Sequence, residues 1–106
     1  MMAWLALFIA GLFETGWAIA MKASDGFSRP LPTLLMLICM VISMVLLTWS
    51  LKSLPVGTAY MVWTGIGAVG AFVLGIFIFG ESATPLRIAA AALIVSGIAL
   101  MKFAEG

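Results

Sequence analysis

Four long apolar runs separated by short charged turns dominate the chain and leave few folds open to it. They cover residues 2–21, 32–51, 56–80 and 86–101. A bilayer core of about 30 Å takes roughly 20 apolar residues per helix, so each run suits one crossing. Backbone polar groups in hydrocarbon must be satisfied within the segment, which makes helices the solution here. The intervening segments carry helix breakers: Lys22-Ala23-Ser24-Asp25-Gly26 with Arg29 and Pro30, then Lys52-Ser53-Leu54-Pro55, then Glu81-Ser82 with Thr84-Pro85. The sequence therefore predicts an all-α membrane protein, a single four-helix transmembrane domain over residues 1–106 with antiparallel neighbours. The fourth run is the shortest, and Arg87 and Lys102 at its ends are expected to snorkel. The Met-Met start has no basic segment and no small-residue cleavage pattern follows, so the first run reads as a retained helix.

Composition excludes the common alternatives. Hydrophobic residues make up 65% of the chain and charged residues 8%, against about a quarter charged in soluble domains. A net charge of +1 with no basic or acidic block argues against a nucleic-acid or polyanionic partner. Cys39 is the one cysteine and can form no internal disulfide. Without histidine, a metal-ligand cluster or a nucleophile paired with a base, the chain does not read as an enzyme, and no cofactor or metal is expected.

Placement of the nine charges is more informative than their number. Eight fall where apolar runs stop; the ninth, Glu14, lies inside the first. With four crossings, Lys52 and Lys102 share one side of the membrane and Lys22, Arg29 and Arg87 the other. That near balance gives the positive-inside rule little to act on, so insertion in both orientations and an antiparallel homodimer are expected.

An acidic residue at mid-helix opposes insertion by roughly 2.5–3.5 kcal/mol. No Lys or Arg lies inside another run to pair with Glu14. A lone carboxylate there is neutralised by a proton or by a bound cation, which suits it to exchange one for the other. Leu7, Ala10, Gly11, Glu14, Trp17 and Ala18 share a helix face, so small residues open space beside the carboxylate and Trp17 can stack on it or donate to it. In the third run Tyr60, Trp63, Thr64 and Gly67 form a second face, and together the two sets predict an aromatic-walled cation pocket. Trp4 and Trp49, near run ends, read as interfacial anchors. Ser43 is the most interior polar residue of the second run; it either bonds its own i−4 carbonyl or reaches Glu14.

Two further patterns concern packing. Gly65, Gly67 and Gly70 allow the third helix to bend or to approach a neighbour closely, and Gly67, Ala71 and Gly75 form a small-residue stripe. Ala90, Leu93, Ile94 and Gly97 make a face on the fourth helix suited to pairing between subunits.

The chain resembles the small multidrug resistance family along essentially its whole length. The marks are Glu14 in an apolar first helix, Lys22 followed by Gly26-Phe27-Ser28-Arg29, and Pro55-Val56-Gly57-Thr58-Ala59-Tyr60 leading to Trp63. The segment from Lys52 through Gly70 looks like the guanidinium exporter subtype, with the polyaromatic (quaternary ammonium) cation exporters as the alternative and an accessory subunit or channel as a more distant one. The resemblance implies a bacterial inner-membrane, proton-coupled antiporter working as an antiparallel, dual-topology homodimer. In it Glu14 from each copy binds protons or guanidinium-type cations, Trp17, Ser43 and Trp63 orient it, and Tyr60 contacts it and gates the path. Gly65 to Gly67 become the hinge, and Leu93, Ile94 and Gly97 the dimer seam. Thr15-Gly16 departs from the bulkier aliphatic pair common in the subtype, and Met61 from a usual alanine, which bears on pocket width.

Overall fold

A computed structural model describes residues 2–105. It contains four helices: α1 (Met2–Ala23), α2 (Pro30–Ser50), α3 (Val56–Phe79) and α4 (Pro85–Glu105). At 21–24 residues each, they measure about 31–36 Å at 1.5 Å per residue, and all four are long and apolar enough to cross a membrane. The fourth helix, Pro85–Glu105, extends beyond its apolar run at both ends. Its flanking cations lie inside the helix and lean on aromatic rings: Arg87 Cζ is 5.3 Å from the Phe72 ring centroid and Lys102 Nζ 5.1 Å from that of Trp4.

The helix ends follow from local chemistry. Pro30 and Pro85 open α2 and α4, where a missing N–H leaves no intrahelical bond unmade. Thr84 precedes Pro85 and accepts the Arg87 backbone N–H on its hydroxyl at 3.3 Å. α3 ends at Gly80, whose φ of 66° is a left-handed conformation that glycine adopts without strain. Between α1 and α2, Asp25, Gly26 and Phe27 all have positive φ. Buried Ser24 organises this turn: its hydroxyl donates to the Met21 carbonyl at 2.6 Å and accepts the Phe27 N–H at 3.1 Å.

The four helices form a slab of 43 × 34 × 16 Å. Helix α1 is the centre, packed along both α2 and α3, while α4 leans on α3. Small side chains on α1 permit this: Ala3, Ala6, Ala10 and Gly11 are buried along with Leu7. Lipid tails are as apolar as leucine, so association here comes from close packing and hydrogen bonds rather than from water exclusion. The core consists of Leu7, Ala10, Ala59, Val62 and Trp63. No described residue of α4 is buried.

A polar clasp closes the end of the slab where α1 and α3 terminate. Lys22 Nζ lies 2.7 Å from Glu81 Oε2 and 5.1 Å from the Phe79 ring centroid. The lysine's hydrogen bond and charge hold the Glu81 carboxyl below the usual carboxylate range. Glu81 folds back over Gly75, whose missing side chain leaves room for the carboxylate. Gly75 thus serves the α3–α4 turn rather than a contact between helices, unlike the role its place in the stripe predicts.

Candidate functional site

Glu14 lies half-buried on α1, and Trp17, one turn on, donates its indole Nε1–H to Glu14 Oε1. The i, i+3 spacing brings the two together within a single helix. Across the seam, Gly67 of α3 is buried against Glu14: a Cβ built there would overlap the glutamate's methylene stem. Two other glycines interlock the same helices. Gly11 receives Ile66, and Gly70 receives the hydroxyl of Thr15. Gly65 points the other way and meets Ile94 and Ile98 of α4. The glycines therefore serve close approach on two sides of α3, which remains helical without interruption from Val56 to Phe79.

Ser43 does something different from both sequence expectations. Its hydroxyl donates to the Ala10 carbonyl of α1 at 2.7 Å and accepts the Trp63 indole N–H at 2.9 Å. It reaches neither its own i−4 carbonyl nor Glu14, because α2 presents residue 43 to α1 one helical turn before the glutamate. Ala10 is also the residue whose carbonyl accepts the Glu14 backbone N–H in a regular helix. One buried hydroxyl thus joins three helices immediately below the carboxylate. Ser43→Ala leaves the Trp63 N–H buried without this acceptor and is expected to destabilise the protein by about 1–3 kcal/mol. Denaturation of the purified variant in detergent measures this, and Trp63→Phe in the Ser43→Ala background should recover part of the loss.

The third-helix face does not converge as a unit. Trp63 and Gly67 point inward, whereas Thr64 is exposed and Tyr60 is 58% exposed. The Tyr60 ring lies 5.6 Å from that of Trp63, tilted by 45°. Residue 60 stands about 10 Å along the helix from residue 67, so within one chain the tyrosine lies away from Glu14. On α4, Ile94 packs on Gly65, Leu93 is 74% exposed, and a Cβ at Gly97 would meet nothing. Gly97 lines an open groove of about 250 Å³ with Met61, Val62, Ile98 and Met101.

Sequence reasoning connected Thr15 with pocket width and passed over its polar contacts. Thr15, 4% exposed, faces α3 beside Glu14, and its hydroxyl lies 3.1 Å from the Gly67 carbonyl. The available signal was a hydroxyl next to the one intramembrane charge, opposite the glycine-rich stretch of the third run. No group of His, Cys, Asp or Glu among the described residues is arranged to hold a metal.

Four membrane-crossing helices built around a single intramembrane carboxylate define a small multi-pass membrane protein of the transporter class. Residues 2–95 match the Small Multidrug Resistance protein family, and the chain belongs to that family; it is a transport protein and not an enzyme. Among its relatives, the guanidinium exporter of Escherichia coli (strain K12) is 56% identical over 101 residues, covering 95% of this chain and 96% of the relative. The guanidinium exporters of Salmonella typhimurium (strain LT2) and Citrobacter freundii are 54% and 50% identical over the same shares.

Proposed function

We propose that the chain is a proton-coupled antiporter of the bacterial inner membrane that exports guanidinium and small guanidinylated cations. The observation that carries this reading is the setting of Glu14, a carboxylate inside a membrane-crossing helix with an indole N–H on one oxygen and Gly67 beside its stem. The names of the relatives agree with it. Guanidinium is planar and carries a fork of donors, so it can meet carboxylates two bonds at a time and stack on an aromatic face. A quaternary ammonium ion can use the aromatic faces but has no N–H donors to match the carboxylate. Trp17 orients Glu14 directly. Ser43 and Trp63 act one turn away, through the Ala10 carbonyl.

Protons and substrate compete for the same carboxylate. A proton arriving from outside displaces the cation there, and proton loss inside regenerates the site. An inward proton gradient drives the cycle, each charge moved through 100 mV contributing about 2.3 kcal/mol.

The functional unit in this reading is the antiparallel, dual-topology homodimer. The near balance of Lys and Arg across the two sides supports it, as do the outward Tyr60 and Thr64 and the unburied α4. Leu93 and Gly97 form the open part of the dimer seam, with Ile94 shared between the seam and Gly65. Tyr60 reaches the glutamates across the interface, and the α3 hinge lies at Gly65 and Gly67.

Proteoliposomes containing the purified protein, with an inward proton gradient, test the proposal. Guanidinium is expected to accumulate against its own gradient as protons move the other way. Concentration of tetraethylammonium in place of guanidinium assigns the chain to the polyaromatic exporters. Equilibration without concentration makes it a channel.

A further inference from the structure

The Thr15 hydroxyl has one hydrogen and three carbonyl oxygens within reach: Gly67 at 3.1 Å, Gly11 at 3.3 Å and Ile66 at 3.5 Å. A membrane threonine ordinarily bonds back to its own helix at i−4, here Gly11. The nearest acceptor instead belongs to α3. Room for the hydroxyl comes from Gly70, where any Cβ would overlap Thr15 Oγ1. Gly67, whose carbonyl takes the bond, also receives the stem of Glu14. Successive residues of α1 thus grip one glycine of α3, Glu14 by packing and Thr15 by hydrogen bonding.

We infer that Thr15 is a positioning residue for the cation site. Its hydroxyl, donated to the Gly67 carbonyl, sets the height and rotation of α1 against α3 and thereby the place of the adjacent Glu14 carboxylate. The inference deepens the proposed function and rests on Glu14 being the group that binds guanidinium. Packing at Gly11, Gly67 and Gly70 holds the two helices close, and the directional hydrogen bond adds a preferred alignment to it.

Equilibrium binding of radiolabelled guanidinium to the full-length protein in lipid nanodiscs tests the assignment, with thermal unfolding of each variant measured alongside. Thr15→Val keeps the shape and removes the hydroxyl; it is expected to weaken binding by about five- to tenfold, the scale of one hydrogen bond. Thr15→Ser keeps the hydroxyl and should bind within about twofold of the parent protein. Thr15→Ala removes the hydroxyl and the methyl group together, and it should bind no better than Thr15→Val. Unchanged binding by Thr15→Val, equal losses in the valine and serine variants, or full binding by the alanine variant would each overturn the inference.

An NMR titration of the Glu14 carboxyl carbon separates this outcome from failure of the function. If the parent protein binds no guanidinium, the export reading falls. Thr15 then stands only if the valine variant moves the midpoint of the Glu14 titration and the serine variant leaves it in place; it falls if they move together or not at all.

Discussion

Glu14→Gln is expected to reduce proton-driven guanidinium accumulation in proteoliposomes to the background of empty vesicles, while the purified variant keeps the oligomeric state of the parent. The amide matches the carboxylate in shape, still fits against Gly67 and still offers an oxygen to the Trp17 indole. What it lacks is the charge that neutralises a cation and the ability to take up and release a proton. Loss of packing is therefore minimal and loss of coupling complete. Binding provides a second reading of the same substitution. Guanidinium affinity of the parent should fall as pH is lowered, because protons occupy the site, whereas any residual affinity of the glutamine variant should not depend on pH. Gradient-driven uptake at the parental rate by Glu14→Gln would falsify the exchange mechanism.

The second large effect is expected at Gly67. A methyl group placed there overlaps the Glu14 side chain, so Gly67→Ala must push the carboxylate or the whole of α1 away. Overpacking of this kind imposes strain of about 1–3 kcal/mol. Because the strain falls on the binding group itself, guanidinium affinity should drop by roughly 5- to 150-fold, the fold-change those energies correspond to. Gly57→Ala is the matched control. It lies in the first turn of the same helix with nothing near a built Cβ, and it should bind and unfold within about 0.5 kcal/mol of the parent. Equal behaviour of the two alanine variants would show that the glycine at 67 has no part in shaping the site.

Residues whose roles depend on their own helix were legible in the sequence; residues whose roles depend on a neighbour were not. Trp17 reaches Glu14 because both stand on α1 three positions apart, and no tertiary information was needed. Helices could be read from the runs because hydrocarbon leaves the backbone no alternative. The direction in which each helix presents its side chains is a different matter. In a soluble protein the polar stripe marks the outside, but α3 is apolar almost all round, facing lipid on one side and protein on the other. Tyr60, Trp63, Thr64 and Gly67 therefore looked like one face, and only the packing separates inward Trp63 and Gly67 from outward Tyr60 and Thr64. Ser43 illustrates the same point. Its depth in the run could be seen, whereas its contact with Ala10 depends on how α2 is rotated against α1. Glycines announced close approach without naming the partner: α1 for Gly67 and Gly70, α4 for Gly65, and the chain's own Glu81 for Gly75.

The attachment of α4 has a consequence for how such a chain can change over generations. This helix leans on α3 through Gly65, on the side opposite the glutamate, and buries none of its described residues. Away from the Leu93, Ile94 and Gly97 face, substitutions on its outer surface leave untouched the seam between α1 and α3 in which Glu14, Thr15 and Gly67 are fitted together. The helices that set the chemistry and the helix that meets its surroundings can therefore change separately.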